Sequence, residues 1–172
     1  MSSPATVIFN FKKIQELLHQ AGLAGWLIYD FRGLNAVARQ LFALGNYHIT
    51  RRWFYFIPVE GEPVMLVHKI EARSVPLLPG RMQLYVGWRE LHEALRALLP
   101  KHQPVAMEYS PMNDVPTVSY IDAGMLELIR SLGVEVTTSA PLIRASPSRC
   151  FFANAPVPTI TSFMRVLSGK YS

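Results

Sequence analysis

Cysteine is nearly absent from this chain: Cys150 is the only one in 172 residues. A single thiol cannot close an internal disulfide, and such usage fits a reducing compartment. Long apolar runs are missing too, for no stretch nears the roughly 18–20 residues that a membrane-spanning helix needs. The start, Met1-Ser2-Ser3-Pro4, lacks the basic-then-apolar order of a secretory signal. We therefore expect a cytoplasmic protein with no membrane partner. Acid is missing from one region only. Residues 141–172 hold no Asp or Glu, four Pro and four basic residues, whereas residues 1–140 hold 12 acids against 13 Lys and Arg. The net charge of +5 thus comes mostly from Arg144, Arg149, Arg165 and Lys170. Those residues read as a solvated tail rather than a face for a phosphate backbone, so no nucleic-acid partner is expected.

Familiar catalytic motifs are lacking as well. No Gly-rich phosphate loop occurs, because Gly22-Leu23-Ala24-Gly25 precedes a predicted strand instead of following one. There is no Gly-x-Ser-x-Gly elbow. The five histidines, His19, His48, His68, His92 and His102, are not paired at ligand spacing with one another, a Cys or a carboxylate. Cys150 lies in the basic tail and makes a poor nucleophile candidate. Asp30 and Glu108 stand at the ends of predicted strands. Two such acids could hold a divalent metal in an RNase H-type nuclease. No third acid is clearly placed, however, and strand-end acids commonly cap loops. No metal ligand and no catalytic residue is assigned.

What the chain does contain is well-patterned secondary structure. Phe11, Ile14, Leu17, Leu18 and Ala21 recur at helical spacing after Asn10 and before Gly22. Residues 25–30 form a short, nearly continuous apolar run, as in a strand covered on both faces. A loop follows over 31–35, then a helix over 36–44. Residues 53–58 and 63–67 are β-rich and joined by Val59-Glu60-Gly61-Glu62, which predicts an antiparallel hairpin. Further on come a weaker helix over 69–77, a strand over 83–86, a helix over 88–99, a strand over 105–109, a helix capped by Asp122, and a strand over 134–137. This alternation predicts an α/β fold, a mixed β-sheet flanked by helices on both faces. The patterned domain spans 1–140, and 141–172 form an atypical basic, Pro-rich tail.

The loop Asp30-Phe31-Arg32-Gly33-Leu34-Asn35 follows the first strand, on the side where open α/β sheets usually bind ligands. Arg32 can pair with a carboxylate and Phe31 can close over an apolar group. The competing reading is that Asp30 and Asn35 simply fix the loop. His48, in Asn46-Tyr47-His48-Ile49-Thr50-Arg51-Arg52, and Arg51 are further candidates. The aromatics Trp53-Phe54-Tyr55-Phe56 after them read as core, not as a stacking platform.

The order of segments over about residues 9–140 resembles the N-terminal domain of the creatinase/prolidase/Xaa-Pro aminopeptidase family of pita-bread metallopeptidases. It is carried by Phe11-Lys12-Lys13-Ile14-Gln15-Glu16-Leu17-Leu18, by Gly25-Trp26-Leu27-Ile28-Tyr29-Asp30 with Asn35 five residues on, and by Arg51-Arg52-Trp53-Phe54-Tyr55-Phe56-Ile57-Pro58. The hairpin Glu60-Gly61-Glu62-Pro63-Val64, Tyr120-Ile121-Asp122-Ala123-Gly124 and the segment Arg130-Ser131-Leu132-Gly133-Val134-Glu135-Val136 complete it. The resemblance implies an RNase H-like sheet without nuclease activity. It also implies a domain that does no chemistry itself but supports dimerisation and narrows access to a partner's active site. The family's catalytic domain binds two divalent metals, often Mn or Co, through two Asp, one His and two Glu. No segment here matches that set, so no cofactor is expected in this chain. Expected partners are a second copy or a catalytic metallopeptidase domain. Residues 31, 32, 35, 48 and 51 (Phe31, Arg32, Asn35, His48, Arg51) are the candidates for substrate access or interface. After Asn35 the family's Tyr-Leu-Thr/Ser-Gly pattern is not reproduced by Val37 to Leu41. A shifted reading frame or a truncated gene would account for the acid-free tail, and reading the source DNA past codon 140 in all frames tests that; the rival is a genuine extension that docks on the domain, which predicts a protease-resistant tail. The alternative function is a free-standing α/β ligand-binding protein or small enzyme built on the Arg32/Asn35 loop.

Overall fold

The computed structural model describes residues 10–44 and 48–145. Expectations placed on 146–172, Cys150 included, lie outside the described residues. Among the described residues six strands form one mixed sheet in the order β4-β3-β2-β1-β5-β6. They are β1 (Gly25–Phe31), β2 (Arg52–Pro58), β3 (Val64–His68), β4 (Arg81–Tyr85), β5 (Pro104–Met107) and β6 (Glu135–Thr138). β1 pairs antiparallel with β2, from Gly25 opposite Pro58 to Phe31 opposite Arg52. β2 and β3 form the antiparallel hairpin expected from the sequence. β1–β5, β3–β4 and β5–β6 run parallel.

Alternation along the central strands sorts side chains into two cores. Trp26 and Ile28 point to the same side as Trp53, Tyr55 and Ile57, where α1 (Phe11–Gln20), α2 (Ala36–Leu41) and α5 (Ala140–Ala145) supply Ile14, Leu18, Ala38, Leu41 and Leu142. Leu27, Tyr29, Phe54, Phe56 and Leu66 face the other side. There α3 (Trp88–Leu98) and α4 (Ala123–Ser131) contribute Leu91, Leu95, Met125 and Ile129. Coverage on both faces explains why β1 reads as an apolar run instead of an alternation. Gly25 is required where β1 meets β2, since a Cβ there would lie 2.5 Å from the Phe56 ring.

Several sequence expectations are revised. The helix expected over 69–77 is only a 3-10 turn, Lys69–Glu71. The chain leaves it through bonds from the Ser74 and Val75 N–H groups to the Glu71 carbonyl, and Pro76 offers no N–H to continue. Asn10 precedes α1 without a capping side-chain bond, whereas Asp122 does cap α4 through Met125 N. α2 stops at Leu41. Packing also continues past the change of composition at 140, because Leu142 is buried in the first core. Among the described residues no helix is long and apolar enough to cross a membrane.

Candidate functional site

The C-terminal end of β1 carries two structures, a buried polar network and an open cleft. The network begins at Asp30. Its Oδ2 accepts from Gly33 N at 3.0 Å and from Trp53 Nε1 at 3.0 Å, and its Oδ1 accepts from Asn35 N at 2.7 Å. These bonds close a tight loop in which Arg32 (φ 59°) and Gly33 (φ 73°) are both left-handed. Such a conformation strains a non-glycine residue and persists only where surroundings enforce it.

Asn35 continues the network. Its Oδ1 accepts from Ala38 N at 3.0 Å and so caps α2. Its Nδ2 donates to the Tyr29 carbonyl at 2.7 Å and to Glu108 Oε2 at 2.9 Å. Glu108 Oε1 accepts from Trp26 Nε1 at 2.7 Å. Asp30, Asn35 and Glu108 are all buried. Burial pushes the Glu108 carboxyl up to about 7, against the opposing pull of the Trp26 and Asn35 bonds. Beside it the buried Ser139 Oγ has no well-formed hydrogen bond among the described residues.

These contacts decide the fate of the two strand-end acids. Every carboxylate oxygen of Asp30 and Glu108 already accepts from an N–H donor, so neither is presented to an incoming cation. Among the described residues no group of three or more His, Cys, Asp or Glu is arranged to hold a metal. The two-metal centre that the resemblance implies for a catalytic domain does not fit the residues present. The acids are fasteners that join β1, β2, β5 and α2.

The cleft lies outside this network. Phe31, Arg32, His48, Ile49, Thr50 and Arg51 line a volume of about 360 Å³. Four of the five residues singled out from the sequence, Phe31, Arg32, His48 and Arg51, therefore meet there. Asn35 does not; it is buried behind the loop and holds it. Glu71, from the 3-10 turn after β3, anchors the opposite wall. One of its oxygens, Oε1, accepts from Thr50 N at 2.8 Å and Thr50 Oγ1 at 2.6 Å. Burial pushes the Glu71 carboxyl up, but the Thr50 bonds, the Arg51 backbone N–H and the Arg51 charge outweigh it, and the group titrates below its ordinary value. Behind Phe31, the Arg52 guanidinium lies between two rings, 5.3 Å from Phe31 and 5.4 Å from Trp88. The Arg52 carbonyl accepts from Tyr85 OH at 2.7 Å.

Sequence reasoning passed over Ile49, Thr50 and the anchoring role of Glu71. Only Glu71 left a signal, as an acid inside a stretch too weak to be a good helix. Trp53, Phe54, Tyr55 and Phe56 are buried as expected.

No protein-family model matches the chain. No curated protein matches it either. Solved structures do resemble it. The creatinase/prolidase N-terminal domain of an Xaa-Pro dipeptidase from Streptococcus pyogenes superposes with a TM-score of 0.56 at 14% identity, covering 79% of this chain and 97% of that one. The dipeptidase PepE from Mycobacterium ulcerans gives 0.59 at 18% identity over 84% of this chain and 38% of that one. A prolidase from Pyrococcus horikoshii gives 0.53 at 14% identity, over 78% of this chain and 33% of that one. The match thus takes in nearly the whole of an isolated N-terminal domain but only about a third of the longer dipeptidases. The chain has the fold of a creatinase/prolidase N-terminal domain, as its segment order implied.

Proposed function

We propose that this chain acts as the non-catalytic N-terminal domain of an Xaa-Pro dipeptidase-like metallopeptidase, working in the cytoplasm. It associates with a catalytic domain or with a second copy of itself and narrows access to the active site. The fold shared with the N-terminal portions of dipeptidases is the observation that carries this reading. The consumption of Asp30 and Glu108 in internal bonds supports it, because it removes the two acids best placed for chemistry.

Surface composition supports association. Met82, Leu84 and Val86 occupy alternate positions on and just beyond edge strand β4 and are exposed, as are Ile70, Leu77 and Trp88 nearby in sequence. Exposed apolar groups in such number are usually covered by a partner. Phe31, Arg32, His48 and Arg51 stand at the access side, with Asn35 holding their loop.

Two measurements test the reading. The purified chain with Mn²⁺ or Co²⁺ should hydrolyse no Xaa-Pro dipeptide; metal-dependent turnover that co-purifies with the chain would overturn the non-catalytic assignment. Sedimentation equilibrium should show self-association, or complex formation with an added catalytic metallopeptidase domain. A strict monomer that also ignores the catalytic domain would remove the association claim.

A further inference from the structure

Beyond that reading, the geometry points to a binding site in the cleft itself for a small carboxylate with an apolar body. The site belongs to this chain alone and does not depend on a catalytic domain. Among the described residues the charged side chains that line the cleft, Arg32 and Arg51, are of one sign; His48 lines it beside them, and no carboxylate does. The nearby acid, Glu71, is held through one oxygen by the Thr50 N–H and hydroxyl and feels the Arg51 charge, so it offsets part of that charge without lining the cleft. A guanidinium presents parallel donors that match the two oxygens of a carboxylate. Phe31 and Ile49 supply apolar wall beside those donors, which suits a ligand with a short hydrocarbon portion.

Both walls are held in place before any ligand arrives. On one side, Asp30 accepts from Gly33 N and Asn35 N, and this fixes Arg32 in its left-handed conformation. The N–H groups of Gly33, Leu34 and Asn35 are all engaged within the turn, and the exposed Arg32 side chain reaches the cleft from it. On the other side, Glu71 ties down Thr50, next to Arg51. Phe31 is steadied from behind by Arg52, itself backed by Trp88. Strain held at a cleft lined by like charges is a pattern expected of a preorganised ligand site.

The test is a titration of the full ¹⁵N-labelled chain with sodium hexanoate at low ionic strength, followed by amide and arginine N–H resonances. Sodium chloride at equal ionic strength, acetate and inorganic phosphate are run beside it. Saturable shifts confined to residues 31–32 and 48–51 are expected. Hexanoate should bind about tenfold or more tightly than acetate, because its extra methylenes contact Phe31 and Ile49. Arg32→Gln and Arg51→Gln should each weaken binding about tenfold, and both arginines are exposed, so the fold should survive. The proposal is overturned if hexanoate moves no cleft resonance, if chloride reproduces the shifts, or if phosphate binds more tightly than hexanoate. Unchanged binding in both variants would overturn it too. Should a variant misfold, the wild-type comparison of hexanoate, acetate and chloride still decides.

Discussion

Glu108 offers a quantitative test of the buried network. Its carboxyl is displaced by burial from an ordinary 4.5 to about 7. Each tenfold change in proton affinity is worth about 1.4 kcal/mol, so this displacement corresponds to about 3 kcal/mol. The sign follows from linkage. Below pH 4.5 the group is protonated in both folded and unfolded chains and contributes no pH dependence. Between 4.5 and 7 the unfolded chain gives up the proton while the folded chain keeps it, so stability falls as pH rises. Above 7 both states are ionised and the loss is complete. Other acids titrate in the same range, so the informative quantity is the gap between wild type and Glu108→Gln. Glutamine keeps the shape but cannot ionise, and one of the two donors, Trp26 Nε1 or Asn35 Nδ2, then meets an amide N–H₂ instead of an oxygen. That fixed loss applies at every pH. Urea denaturation of both proteins at pH 4.5, 6 and 8 should show the wild type losing about 3 kcal/mol relative to the variant across the series. A gap that stays constant within about 1 kcal/mol would refute the reasoning. A gap that moves the other way would show that the Trp26 and Asn35 bonds outweigh burial.

Three further substitutions probe the frame. Asn35→Ala removes the α2 cap and leaves a Glu108 oxygen unpaired, and a loss of about 3 kcal/mol is expected in urea unfolding; a loss under about 1 kcal/mol would mean the network is dispensable. Leu95→Ala, at a fully buried position of α3, should cost about 2–5 kcal/mol through the cavity it opens, checked by thermal and urea melts. Gly80→Ala should destabilise by at least about 2 kcal/mol, because Gly80 has φ +99° and an added Cβ would lie 2.1 Å from the Pro63 carbonyl oxygen; near-neutral stability would show that this turn rearranges freely.

Much of the fold was legible because it rests on local periodicity. Leu91 and Leu95 are four residues apart and both sit in the second core. The 25–30 run is apolar because both faces of β1 are covered. The 69–77 stretch misled because its residues serve distant partners. Glu71 reaches across to Thr50, 21 positions back, instead of sustaining a helix. At the site, the sequence singled out Phe31, Arg32, His48 and Arg51 as chemically suggestive types in loops. For Asn35 it offered two readings, a site residue or a residue that with Asp30 fixes the loop, and the bonds to Tyr29, Ala38 and Glu108 decide for the second.

By itself, then, the sequence determined most of the elements, the two-faced sheet and the segment order that resembles a creatinase/prolidase N-terminal domain. These follow from patterns a few residues long, set by helix and strand geometry. Only the tertiary structure decided what the polar residues do. Asn35 meets Glu108 across 73 positions and Trp53 meets Asp30 across 23. Those long-range donors make the two strand-end acids structural fasteners, in line with the loop-capping reading that the sequence favoured over a metal site. The same antiparallel pairing that sets Phe31 opposite Arg52 brought residues 31–32 beside 48–51 and made the cleft. Local caps such as Asp122 on Met125 are encoded nearby, but these distant hydrogen-bond partners are assigned by the packing of the whole chain.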